Sequence, residues 1–451
     1  MSKNINMTQG HPAKLMLLFA LPLMAGNVFQ QLYTVVDTAI VGRGVGMEAL
    51  AALGTVDWLN WMLIGIAQGF TQGFGVKMAQ KFGQQDTEGL KQTIAKSFVL
   101  SLVITVILAA ASQATLPVFL NLLSVPRELR ATATLYTRVL FAGIPAMMFY
   151  NFCASVLRAV GDSQTPLRAM ILASVTNIVL DCVAVFLLRW GVAGAAAATV
   201  IAQCLSGLFC AYKIWKNDTL RFEKRHFAEE KGASRQLLGL GVPMAAQNII
   251  ISVGGMALQS IVNGFGTTFI AGFTATNKLY GLLEIAAVSY GFAVTTYTGQ
   301  NYGAAQWKRI RSGTNWAVVM SIVTSALIGA VMLLFGRQIT MLFISADSVE
   351  LELAAGETAY RYLTVMSLCL PVLYLLYVYR SALQGLGNML IPMLSGGVEF
   401  VMRVGLAFYA GAISWPEGLF LAEVSAWAGA ALLLVIAYYF SAAKLKKLTV
   451  I

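Results

Sequence analysis

Apolar stretches long enough to cross a bilayer alternate with short polar segments along the whole chain. They cover 14–41, 49–80, 90–115, 131–156, 165–188, 191–215, 236–263, 268–300, 307–335, 357–384, 389–412 and 418–442. A helix needs about 20 apolar residues to span the hydrocarbon core. Inside lipid no water satisfies the backbone, so spans of this length are expected as helices. The pattern predicts an all-α membrane protein of twelve transmembrane helices. The longest polar interval, Asn217 to Arg235, leaves no room for an attached soluble domain.

That interval splits the helices six and six, and the halves repeat. Leu21-Pro22-Leu23-Met24 corresponds to Val242-Pro243-Met244-Ala245, and Gln80-Lys81-Phe82-Gly83 to Gln300-Asn301-Tyr302-Gly303. Leu157-Arg158-Ala159-Val160-Gly161-Asp162, followed by Pro166, corresponds to Leu383-Gln384-Gly385-Leu386-Gly387-Asn388, followed by Pro392. Pro145 pairs with Pro371. The expected organisation is an N-terminal six-helix lobe (1–216), a cytoplasmic linker (217–235) and a C-terminal six-helix lobe (236–451). An even number of spans per half makes this a parallel repeat of two pseudo-symmetric bundles. Such repeats place a binding site between the halves and permit rocking.

Composition agrees with lipid as the solvent. Hydrophobic residues make up 58% of the chain and charged residues 11%, against about 25% charged in soluble domains. The net charge of +11 reads as cytoplasmic loops rather than as a nucleic-acid surface. With a cytoplasmic N-terminus, Lys and Arg at the cytoplasmic ends outnumber those on the other side by about three to one. The minority are Arg43, Arg127, Arg130, Arg138, Arg189, Arg337 and Arg361. A multi-pass protein of the cell membrane is expected, with both termini and the linker inside. The basic runs Arg221–Arg225 and Lys444–Lys447 read as topology signals and lipid-headgroup contacts. Met1–Lys14 is polar, without a signal-peptide pattern.

Candidate chemistry is sparse. Cys153, Cys182, Cys204, Cys210 and Cys369 all lie in apolar stretches without CxxC spacing, and read as small hydrophobes. His11 and His226 lie in polar segments, so no intramembrane histidine metal site is expected. No Walker loop, GxSxG or HExxH occurs. An enzyme is not expected, nor is ATP-driven pumping, and no cofactor is implied.

The informative residues are ionisable ones inside helices. Asp37 shares a helix face with Gln30 and Tyr33 by the i, i+3, i+7 spacing. Asn177 and Asp181 are i, i+4 neighbours, and Thr199 follows on the next span. All lie at one depth, in the outer part of their helices. Asp57 lies closer to a helix end. Two carboxylates, an amide and a hydroxyl suit a small hard cation or a shared proton. Acids merely bonded for helix packing are the plainer reading. In the second half the embedded charges are Glu284, Arg380, Glu399 and Arg403. Glu399 and Arg403, acid first at i, i+4, read as an internal pair or as substrate contacts, and Glu284 as a substrate or proton contact. Arg403 stands at the repeat position of Asn177, so the acid cluster is not duplicated. Methionines and aromatics serve equally as packing or as the lining of a promiscuous cavity.

These residues resemble the multidrug and toxic compound extrusion (MATE) family over essentially the whole chain. The resemblance rests on the proline-bearing first helix ending in Asp37-Thr38-Ala39, the Gln80–Gly83 segment, and the 157–166 pattern with its second copy at 383–392. The Asn177-xxx-Asp181 pattern is similar to the branch of DNA-damage-inducible and archaeal members. The resemblance implies that Asp37 accepts H⁺ or Na⁺, and that Asn177, Asp181 and Thr199 complete the cation site. It further implies that Gln30, Tyr33 and Tyr136 extend the network and that helix 1 bends near Pro22. Ala154 departs from the asparagine expected in that branch. The second-half acid site of another branch is not clearly reproduced by Glu284 and Glu399.

The implied function is cation-coupled antiport exporting small amphipathic, often cationic organic compounds by a monomer in the lipid bilayer. The alternative from the same superfamily is export of lipid-linked or polysaccharide precursors, for which about fourteen helices and a more basic cavity are expected. A major-facilitator-type transporter would want a Gly-Arg-Arg-type loop after helix 2, which Gln80–Lys91 lacks. A receptor or membrane enzyme would want a signalling domain or catalytic cluster.

Overall fold

The computed structural model describes residues 5–123, 125–227, 232–341 and 349–448. Met1–Asn4, part of the linker (228–231) and the side chains of Lys444–Lys447 fall outside the described residues. Among the described residues thirteen α-helices follow one another: α1 Pro12–Gly44, α2 Met47–Gly83, α3 Thr87–Leu122, α4 Arg127–Ala142, α5 Ile144–Ala159, α6 Gln164–Asp181, α7 Gly191–Trp215, α8 Ala233–Val262, α9 Thr267–Gly303, α10 Trp307–Met341, α11 Val349–Gly385, α12 Leu390–Ala412 and α13 Pro416–Leu448. A π-helical turn, Cys182–Leu187, follows α6, and a 3₁₀ turn, Lys224–Phe227, precedes α8.

Among the described residues, eleven helices (α6 taken with its π turn) are long and apolar enough to cross a membrane. The pair α4 and α5, bent by 45° at Gly143, passes the same test together and makes a twelfth candidate when counted as one span. Pro145 lacks an amide donor and crowds the carbonyl of Phe141, which breaks the ladder there. The molecule is a multi-pass, all-helical membrane protein.

The chain forms two compact units. The first comprises Met1–Asn6 and Leu21–Ala245, the second Met7–Ala20 and Ala246–Ile451. Of the three divisions, the first lies before α1, and the other two fall inside helices, one residue short of Pro22 in α1 and two residues past Pro243 in α8.

The first unit is centred on Phe74, Met78, Phe152, Leu157, Val160 and Cys210, all buried. Small residues let helices meet closely. A Cβ on Gly73 would fall 2.6 Å from the Gly241 Cα. Gly161 has φ +84, and its carbonyl accepts a hydrogen bond from the Ile5 amide at 3.2 Å. In the second unit, Phe269, Phe273, Tyr362 and Phe420 stack. The Met7 amide donates to Gln300 at 2.9 Å, and Asn301 and Arg309 donate to the Met7 carbonyl.

The repeat extends to the backbone. Positive φ occurs at Gly46, Gln85, Gly161 and Arg189, and again at Gly266, Ala305, Gly387 and Ser414, each in the corresponding inter-helix connection. Each half therefore turns its chain at the same places by the same left-handed step.

Candidate cation site in the first unit

Asp37 lies seven residues before the end of α1, about 10 Å along the axis. One turn earlier stands Tyr33, within electrostatic range of Asp37 and Asp181. Asp181 is the last residue of α6, where the ladder widens into the π turn. Such turns are rare and often accompany functional residues. The Leu188 amide bonds back to the Val183 carbonyl at 2.9 Å, closing the wider ring.

The carboxyl groups of Asp37 and Asp181 lie within electrostatic range of each other. Asp181 is 0% exposed and Asn177 1%. The Asn177 amide donates to the Thr199 hydroxyl at 3.3 Å, and that hydroxyl donates to the Ala195 carbonyl at 3.2 Å. Four buried oxygens of this cluster receive no hydrogen bond: Asp37 Oδ1, Asn177 Oδ1 and both Asp181 oxygens. Tyr136 on α4 is buried, within electrostatic range of Asp37, Asp57, Tyr33 and Asp181. Ala154, fully buried on α5, offers no polar atom.

Buried carboxylates are costly unless paired. The donors here are all oxygens, which suits a hard cation or a shared proton. The set holds only two acids, and no group of three or more His, Cys, Asp or Glu could hold a metal among the described residues. One positive charge fits such a set better than a resident divalent ion. Pro22 is buried within α1, which runs through it as one helix. Asp57 is the residue whose link to this cluster the sequence reading passed over. It is exposed, and its position ten residues into α2 gave the only hint of a shared depth.

The second unit holds a different constellation. Glu284 on α9 accepts from Tyr280 at 3.3 Å and from Tyr377. Glu399 on α12 pairs with Arg380 on α11. Arg403 reaches Glu399 only at 3.8 Å. Its principal partner is Glu423 on α13, gripped by two bonds of 2.7 and 2.8 Å. The Trp427 indole donates to Glu423 at 3.2 Å and stacks on Tyr280. The Glu399–Arg403 pair read from the sequence is present and extends into a ladder over three helices through Arg380 and Glu423. Glu423 was overlooked, although an acid inside the 418–442 stretch signals itself as Asp181 does.

Outside the spans, Asp86 caps α3. It accepts from the Gly89 amide at 2.8 Å and pairs with Lys81 at 2.7 Å. Lys81 first, and the Gly89 amide second, hold its carboxyl below the usual aspartate value.

The MatE family model matches residues 22–183 and 243–409, one block in each half. The chain belongs to the MatE family. It is a membrane transporter and not an enzyme. The blocks begin at the paired prolines Pro22 and Pro243. The first holds Asp37, Asn177 and Asp181, and the second holds Glu284, Arg380, Glu399 and Arg403. Similar curated MatE relatives include the probable multidrug resistance protein YpnP of Bacillus subtilis (strain 168), 29% identical over 398 residues, 88% of each chain. Another is the probable multidrug resistance protein NorM of Thermotoga maritima, 24% identical over 397 residues, 86% of this chain and 83% of that one. A solved structure described as the outward-facing conformation of a multidrug resistance MATE family transporter of the MOP superfamily superposes with a TM-score of 0.90 at 25% identity, covering 99% of both chains.

Proposed function

We propose that this MatE-family transporter is a secondary antiporter that exports small amphipathic, often cationic organic compounds in exchange for H⁺ or Na⁺. The export half of the reading draws on the multidrug relatives YpnP and NorM. The coupling half rests on one observation: Asp181, wholly buried, and Asp37, half-buried, lie within electrostatic range of each other, and both Asp181 oxygens, one Asp37 oxygen and the Asn177 amide oxygen receive no hydrogen bond.

The roles follow from that geometry. Asp37 and Asp181 take up the coupling cation, either by sharing a proton or by ligating Na⁺ with Asn177 and Thr199. Tyr33, Gln30 and Tyr136 hold the carboxyl groups in place. Uptake removes negative charge from a poorly hydrated site and changes the relative energies of the two conformations. A cation shifts that equilibrium only by its differential affinity for them. Pro22 lacks an amide donor and leaves the Leu18 carbonyl without its helical partner, so α1 bends most easily there. The basic bias places both termini and the 217–235 linker in the cytoplasm.

Asp37→Asn is expected to abolish resistance to exported compounds while the protein still reaches the membrane. Resistance assays with membrane-fraction blots test this. Full resistance in the variant would remove Asp37 from the mechanism.

A further inference from the structure

The segment that joins α7 to α8 is polar in sequence, yet it is anchored to the first unit. Leu220 is fully buried in that unit's core. Phe222 packs between Phe98 of α3 and Phe227, with ring centroids 6.0 and 5.7 Å away. His226, in the 3₁₀ turn that follows, is only 1% exposed. Both of its ring nitrogens are engaged. Nδ1 accepts from the Glu223 amide at 2.7 Å, and the His226 amide donates back to the Glu223 carbonyl at 3.0 Å, which closes the turn. Nε2 lies 3.2 Å from Glu88 Oε2 at the start of α3. We propose that His226 is the catch of a pH-sensitive clasp, which holds the 217–227 segment on α3 while the ring is neutral and releases it when the ring takes up a proton.

The bonding fixes which form of the ring holds the clasp. A backbone amide can only donate, so Nδ1 must keep its lone pair. The one proton of the neutral ring then sits on Nε2, where Glu88 accepts it. Protonation puts a second N–H on Nδ1, aimed at the Glu223 amide. Two donors then face each other inside a buried turn, and a buried donor without an acceptor is costly. The charged ring does attract Glu88. That side chain is 59% exposed, however, and it is already shared with Arg225 at 3.6 Å, so the attraction returns little. The loss outweighs the gain and the turn opens. The remaining charges around the ring leave this balance as it is. Arg225 lies 3.4 Å from Glu223 Oε2, Lys224 is exposed, and Asp86 and Lys81, beside the start of α3, pair with each other. Release frees the chain that leads into α8.

His11 and His226 are the two histidines of the chain. Nitrogen NMR of full-length protein carrying isotope-labelled histidine therefore reads the His226 ring directly, with His11→Asn to assign the signals. At about pH 8 the ring is expected to be neutral, with its proton on Nε2. Hydrogen exchange of the 217–227 peptide, normalised to the intrinsic rate at each pH, reads the clasp. Its protection is expected to fall roughly tenfold between about pH 8 and about pH 5, the interval in which histidine changes charge. His226→Asn has no ring to titrate and is expected to abolish that pH dependence. A neutral ring with its proton on Nδ1 overturns the clasp, as does a segment whose protection stays constant over this interval. An equal pH dependence in His226→Asn overturns it too.

Discussion

Asp181 is wholly buried, yet neither of its oxygens receives a hydrogen bond. Arg403, equally buried, is bound by two carboxylates. On the proposed antiport, these opposite treatments of buried charge separate a site that takes up a cation from one that carries its own. The same contrast predicts opposite responses to substitution. Asp181→Asn should retain or raise thermal stability in detergent, because it removes an uncompensated buried acid, and should lose export. Arg403→Ala should destabilise by about 3–5 kcal/mol, because Glu423 keeps its charge without its cation. Arg403→Met combined with Glu423→Leu should recover most of that loss, since an apolar pair often replaces a buried ion pair at little cost. Thermal unfolding of the four proteins measures this. A mild effect of Arg403→Ala would deny the ladder its structural role. Asp37, Asn177, Asp181 and Thr199 were legible as candidates because polar atoms within apolar stretches stand out. The partner of Arg403 was not, since i, i+4 spacing points along one helix and Glu423 approaches from another.

At the scale of elements, hydropathy located the spans but not their ends. The reading of 90–115 became α3 at Thr87–Leu122, and 357–384 became α11 at Val349–Gly385. Hydropathy reports where side chains meet lipid, whereas backbone hydrogen bonds continue the helix into the polar layer. The fourth stretch, read as one piece, breaks at Gly143 because a proline lies two residues on. The π turn after Asp181 had no sequence signature at all. The prolines give a prediction of their own. Pro22→Ala returns a donor to the Leu18 carbonyl and should raise stability by up to about 3 kcal/mol. Transport should slow if α1 must bend, and an unaltered rate would separate Pro22 from the transport cycle. The cap of α3 supplies a pH test. Asp86 has a lowered value, so its contribution is present above the ordinary aspartate range and lost as pH falls through the lowered one. Asp86→Ala should cost about 0.5–1 kcal/mol near neutral pH, given the site's exposure. The difference should vanish in acid, and a pH-independent difference would exclude the ion pair as its source.

At the scale of the whole molecule, a duplicated chain has kept its turns in common and let its buried charges diverge. The left-handed residues recur in both halves, while the acid pair occurs in the first unit and the Arg–Glu ladder in the second. Duplication preserves what the backbone must do to re-enter the membrane. It leaves side chains inside each unit free to diverge, the first keeping acid oxygens without donors and the second Arg–Glu pairs that tie helices together. On the proposed antiport, export driven by an ion gradient depends on the first unit's carboxyl groups. The most direct test is efflux of tetraphenylphosphonium from proteoliposomes under separately imposed proton and sodium gradients. The unaltered protein should respond to at least one gradient, and Asp37→Asn and Asp181→Asn to neither. Gradient-driven efflux at the unaltered rate in both variants would contradict the account.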